Sequence, residues 1–190
     1  MKTDIYRTCP IIENSNFLLR RTTLNDKEDL LKVYSDKMSV PFFNSDNCDG
    51  DDFFYDTLSR MEKAINYWNE EYKLNGFVRF SILNKKNNEA IGTFEIFKRV
   101  SKVDKFNNFL ILRLDLRSDF EKSQIVLELL KIIIEPLVKI FACSKIASKV
   151  IPENTERRKA FQNYGFIQSY SPLIGDNDQK YFNYFVLPTN

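Results

Sequence analysis

The sequence predicts a single α/β domain built on a central mixed, mostly antiparallel sheet flanked by helices. Three observations carry this expectation. A long amphipathic stripe of helical period is followed by three successive runs that alternate with period two. The chain then alternates helix, strand, helix, before a terminal pair of strand-like segments. At 190 residues, with no internal repeat, low-complexity tract or linker, one domain spanning 1–190 is expected.

The elements follow in order. "NFLLRR" (Asn16–Arg21) reads as a first strand, and "NDKEDLLKVYSD" as a helix capped by Asn25 with Glu28 in the capping-box position. "VPFFNSDNCDGDD" (Val40–Asp52) is a loop punctuated by Pro41 and Gly50. Phe54, Leu58, Met61, Ile65, Trp68 and Tyr72 make one apolar helical stripe, stopped by Asn75-Gly76. Phe77–Asn84 and Ala90–Arg99 alternate around the polar turn "KKNNE" and predict an antiparallel hairpin. Asn107–Leu116 extends it, with Leu110, Leu112, Leu114 and Leu116 on one face and Arg113 and Asp115 on the other. Ser118 and Glu121 then suggest a capping box for an apolar helix through Ile125, Leu129 and Ile133, which Pro136 should kink or shorten. Lys145–Ile151 is a strand, Pro152–Phe166 a short helix ending on Gly165, and "FIQSYSPLI" and "YFNYFVLP" a last pair.

Composition excludes several classes. There is no histidine, so Ser-His-Asp, Cys-His and histidine-metal chemistries are absent, and acid–base work falls to carboxylates, Tyr, Lys, Cys or water. Cys9, Cys48 and Cys143 are an odd, scattered set that suggests neither a disulfide framework nor a metal site. A net charge of +2 argues against nucleic-acid partners. The polar N-terminus is unlike a signal peptide, and the run 125–141 carries too many charges for a membrane span. A cytoplasmic protein, monomeric or homodimeric, is expected.

"PENTERRKAFQNYGF", in its place in this element order, resembles the corresponding segment of the GNAT superfamily of acyl-CoA-dependent N-acyltransferases. The likeness is greatest to the branch that acetylates protein N-termini, ribosomal proteins above all, and small amines. It runs from Phe17 to about Leu187, with "NFLLRRTTLNDKEDLLKVYSD" as the branch's opening strand and helix. The resemblance implies the GNAT fold, acetyl-CoA as co-substrate, no metal, and an amine acceptor. It implies that Asn154 lies near the coenzyme, whose pyrophosphate takes the helix N-terminus after the strand that ends at Leu116.

The family's coenzyme loop carries Arg or Gln, two residues, Gly, any residue, then Gly or Ala. Phe120 and Ile125 match its flanks, but Glu121, Lys122, Ser123 and Gln124 stand between, and side chains replace both glycines. The resemblance therefore implies a remodelled loop at 121–125, with Arg117, Lys122, Arg157 and Arg158 available to offset Glu121. The tyrosine that often serves as general acid is Phe161 here, and the serine after the Asn-Thr pair is Arg157. Asp115 and Glu95 remain as candidate bases, although the plainer reading makes them solvent-facing strand residues. Phe42, Phe43, Asn44 and Asp46 form a candidate acceptor-binding group. The alternative to an N-acetyltransferase is a catalytically degenerate module of the same fold that binds a ligand or partner.

Overall fold

The period-two runs form the middle of an eight-stranded sheet. The structure is a computed structural model that describes residues 4–188. The chain order is β1 (Ile12–Glu13), β2 (Phe17–Arg21), α1 (Lys27–Tyr34), α2 (Leu58–Lys73), β3 (Val78–Asn84), β4 (Glu89–Arg99) and β5 (Phe109–Leu116). Then come α3 (Ser123–Phe141), β6 (Ile146–Lys149), α4 (Thr155–Tyr164), β7 (Ile167–Gln168), β8 (Leu173–Ile174), β9 (Lys180–Tyr181) and β10 (Tyr184–Leu187). The sheet order is β1-β2-β3-β4-β5-β6-β10-β7, and β8 pairs with β9 apart from it. Among the described residues only β5 and β6 run parallel.

Register makes the two faces chemically different. Phe80 faces Phe94, which faces Leu114; one residue along, Arg79 faces Glu95, which faces Arg113. Because side chains alternate, Phe80, Phe94 and Leu114 share one face and Arg79, Glu95 and Arg113 the other. On the apolar face α3 buries Leu129, Leu130, Ile133 and Leu137 in one cluster with the strands and with Ala160 and Phe161 of α4. On the polar face Tyr34 of α1 and Met61, Ile65 and Trp68 of α2 cluster with Phe43, Phe53 and Tyr55 of the intervening loop.

The parallel pair is short. Only Leu110 with Ile146 and Ile111 with Ala147 are in register, after which β6 continues alongside β10 alone. Leu110 N–H donates to Lys145 O at 2.8 Å. Alternate residues point their backbone groups the same way, so Leu112, Leu114 and Leu116 turn theirs toward β6 where the two strands have parted.

Several predicted boundaries move, each for a local reason. The first helix is not capped by Asn25: Thr23 opens a 3-10 turn, Leu24–Asp26, with the Asp26 carboxylate accepting the Thr23 N–H at 2.9 Å, and α1 follows with Asp26 at its N-cap position. The second helix begins at Leu58 instead of Phe54, with Thr57 Oγ1 accepting the Arg60 N–H. Asp51 and Asp52 instead accept the N–H groups of Phe53 and Phe54, and Phe53 sits at φ 62°. The third helix does not start on Ser118. Residues Ser118–Phe120 form a 3-10 turn, the Ser118 N–H donates to Asp36, and Lys122 holds the N-cap position. Pro136 does not end that helix, which continues to Phe141 because the buried residues on both sides of it keep it packed.

Asp26 also links strand to helix. It accepts from Arg20 at 2.6 and 2.9 Å and from Ser81 at 2.9 Å. Burial pushes its carboxyl up, but the Arg20 guanidinium, the Thr23 amide and the Ser81 hydroxyl outweigh this and hold it below its usual value. A depressed folded-state pKa contributes stability that is complete above the unfolded value and lost as the pH falls through the folded one. Asp26→Asn is expected to cost about 2 kcal/mol at neutral pH. In urea titrations that gap should close as the pH drops below about 4.

Candidate active site

Three neighbouring strands place a row of charges under α2. Arg79 on β3, Glu95 on β4 and Arg113 on β5 lie side by side across the polar face. Arg79 Nη2 donates to Glu95 Oε2, and Arg113 Nη1 lies 3.1 Å from Glu95 Oε1, an ion pair too poorly aligned to count as a hydrogen bond. The next row brings Thr93 and Asp115 together. Asp115 Oδ2 accepts from Tyr34 Oη at 2.8 Å and from Arg79 Nη1 at 2.9 Å. Asp115 is fully buried, and its Oδ1 finds no partner among the described residues. Burial raises the Asp115 carboxyl above its usual range, against the opposing pull of Arg79. The plainer expectation for both carboxylates is thus corrected: neither faces solvent, because each has a guanidinium partner across the strand.

Above the Arg79–Glu95–Arg113 row lies a cavity of about 490 Å³. Its walls are aromatic, with Phe53, Tyr55, Tyr67, Trp68, Phe77 and Phe97, and the Arg79 guanidinium stacks 4.3 Å from the Trp68 ring centre. Glu95 lines this cavity and Asp115 does not. A second cavity of about 370 Å³ shares Asn47, Cys48 and Asp49 with the first and reaches Asp46 and Tyr181. Cys48 is half-buried, with Arg113 Nη1 3.5 Å from its sulfur, and burial raises its thiol.

The loop that separates the cavities is fastened to both parted strands. Arg113 Nη2 of β5 donates to Asp46 O at 2.6 Å, and Lys149 Nζ of β6 to Asp46 Oδ1 at 2.6 Å. Tyr184 Oη of β10 donates to Asp46 Oδ2 at 3.0 Å, and the Asn44 side-chain amide donates to that hydroxyl at 3.4 Å. Phe43 packs edge-on against Tyr34. Of the candidate acceptor-binding residues, Asp46 lines the smaller cavity. Phe42, Phe43 and Asn44 line neither and anchor the loop from beneath.

The candidate coenzyme-loop residues meet α4. Asn154 caps α4, its Oδ1 accepting the Arg157 N–H at 2.9 Å, while its buried Nδ2 has no partner among the described residues. Arg157 is 2% exposed. Its Nε and Nη2 donate to the two oxygens of Glu121 at 2.8 and 2.6 Å, and its Nη1 to Phe42 O at 3.2 Å. The side chain thus reaches from α4, on the apolar face, to the loop on the polar face. Arg157 and Glu121 neutralise each other, so neither is left for a phosphate. Arg117 is paired with Glu89 and Asp119, and Arg158 donates to Gln168. The Ser123 N–H donates to Glu156 Oε2 at 2.7 Å. Lys122 and Gln124 are exposed, Leu116 is buried and Ile125 half-buried. Phe161 is buried against Phe166.

A sheet in which the one parallel pair among the described residues parts, with two helices on each face and a helix following the parted strand, is the architecture of the acyltransferase class of α/β fold. The chain belongs to the acetyltransferase (GNAT) domain family, whose model it matches over residues 16–167. Its fold is shared by a putative ribosomal-protein-serine acetyltransferase from Vibrio cholerae, with TM-score 0.70 and 13% identity over 94% of this chain and 97% of that one. An acetyltransferase (GNAT family) from Bacillus anthracis gives TM-score 0.67 at 12% identity, covering 93% of this chain and 96% of that one. A ribosomal-protein-S5-alanine acetyltransferase from Vibrio fischeri gives 0.63 at 16%, covering 93% and 94%. A search of curated proteins gave no match.

Sequence reasoning passed over Arg79, Arg113, Tyr34 and Glu156. The first two alternate in phase with Glu95, so a register assigned to the three strands would have found the charged row.

The Arg157–Glu121 pair supplies a test of this geometry. Arg157→Met leaves Glu121 buried without its partner and is expected to cost about 3–5 kcal/mol in chemical denaturation. Adding Glu121→Met should recover most of that loss.

Proposed function

We propose that this chain transfers an acetyl group from acetyl-CoA to a primary amine, either a small amine or a protein N-terminus. The observation that carries the reading is the parting of β5 and β6 beside a cavity floored by a carboxylate. The free backbone edge at Leu112, Leu114 and Leu116 suits the amide groups of a pantetheine arm, and the orphaned Asn154 Nδ2 offers one more donor. The phosphate end fits less directly. Lys122, Gln124 and Ile125 flank the helix N-terminus, but the chain's own Glu156 holds the Ser123 amide.

The acceptor enters the aromatic cavity. Its nitrogen attacks the thioester carbonyl carbon, the C–N bond forms, the C–S bond breaks, and the thiolate leaves. Backbone N–H groups of β5 stabilise the oxyanion. In this reading Glu95, which lines the cavity where Asp115 does not, receives the amine's proton directly or through one water. The three free cysteines suit a reducing cytoplasm.

A second reading, a module of this fold that does not transfer acetyl groups, draws on the Arg157–Glu121 pair and on Phe161, which put no obvious acid near a departing thiolate. Incubation with acetyl-CoA and a panel of primary amines separates the two. The acetyltransferase reading expects thiol release that Glu95→Gln slows about 100-fold. The rise in melting temperature caused by acetyl-CoA should survive that substitution. Neither thiol release nor a thermal rise in the unaltered protein would favour the module.

A further inference from the structure

The first turn of α3 is the anion-ready feature beside the parted strands, because helix N-terminal amides carry partial positive charge. One of those amides is already taken. The Glu156 carboxylate that accepts the Ser123 N–H belongs to the first turn of α4, so the contact joins two helices. The contact lowers the Glu156 carboxyl below its usual range, with smaller help from Lys159 and Lys122. Glu156 is exposed, so packing does not hold it there. Next to it, Arg157 is locked to Glu121 and Phe42 O, which fixes the backbone of this turn and leaves the Glu156 side chain as its movable part. Two residues before Glu156, Asn154 is 3% exposed, and its Nδ2 has no partner among the described residues. That unsatisfied buried donor, on the same turn of α4 as Glu156, is a second observation that calls for a polar partner at this end of the helix.

We propose that Glu156 is an internal stand-in for the coenzyme's phosphates: its carboxylate holds the α3 amide site, and acetyl-CoA binds by displacing it. The inference rests on the acetyl-CoA reading above and names what sets the coenzyme's affinity. A rotation of the Glu156 side chain is enough to clear the amide, and the exposed Lys122 and Lys159 can receive the displaced charge.

Titration calorimetry with coenzyme A on the unaltered protein, Glu156→Gln and Glu153→Gln tests this. Glu153 is exposed and close in sequence, and its side chain makes no hydrogen bond to α3 among the described residues, so it controls for net charge. Glu156→Gln should bind coenzyme A about three- to tenfold tighter at low ionic strength. The gain should shrink in high salt. Glu153→Gln should gain much less, and pantetheine, which has no phosphate, should bind all three proteins alike. Equal affinity of Glu156→Gln and the unaltered protein for coenzyme A overturns the inference. So does an equal gain in Glu153→Gln or an equal gain for pantetheine, and in each case the acetyl-CoA reading stands. No binding of coenzyme A to any of the three at millimolar concentration overturns that reading, and this inference with it.

Discussion

After Ile111 the central strand loses its neighbour on one side, and the site is organised by the unpaired backbone this leaves. A buried strand edge is costly unless its N–H and C=O groups find partners. Here the surrounding segments are drawn toward the gap. The loop after α1 is tied to Arg113 on one strand and to Lys149 on the other through a single residue, Asp46. From the opposite face Arg157 reaches through to the carbonyl of Phe42. The loop after α1, the turn that carries Glu121 and α4 therefore meet at one place.

The charged row beneath the cavity is the second constraint. A buried ion pair is often no better for stability than well-packed apolar residues of the same size. The fold could have placed apolar residues at 79, 95 and 113, as it does one residue along each strand. What the row does provide is geometry. Arg79 is clamped between Glu95, Asp115, Tyr34 and the face of Trp68, so the carboxylate beside it has little freedom to rotate. Two guanidinium groups against two carboxylates leave the buried cluster neutral, which limits the desolvation penalty of holding Glu95 against the cavity.

Much of the fold was legible in the sequence because periodicity is a local signal. The alternation of Val78, Phe80 and Ile82 against Arg79 and Ser81 is visible without any neighbour, and the strands form where it occurs. Helix ends were less legible because caps are chosen by competition. Ser118 has the right chemistry for a cap, but Asp36, far away in sequence, takes its N–H. Asp51 and Asp52 close local turns that delay α2. The site was the least legible part. Asp115 and Glu95 looked like ordinary exposed strand residues because nothing local reveals that Arg79 lies across from one and beside the other. Burial of a charge is decided by its partner, and the partner is set by register.

The glycine-free loop raises the question of decay or remodelling, and the answer turns on Glu121 and Arg157. Each departs from the family pattern, and read singly each looks like a loss: an acid placed near phosphates, and a small hydroxyl residue exchanged for a long cation. In the fold they are one interaction, bidentate and almost fully buried. Either residue alone would leave an uncompensated buried charge, at a cost of about 3–5 kcal/mol. Drift at an abandoned site has no reason to supply matching charges on segments this far apart in sequence. Lys122 and Gln124, the side chains in the glycine positions, are exposed rather than wedged into the helix N-terminus. The amide they flank is held by Glu156, a group that solvent can reach. Under the acetyl-CoA reading, these departures fit together as a reworking of the proposed coenzyme end in which a buried ion pair braces α4 and the exposed Glu156 carboxylate holds the helix amide.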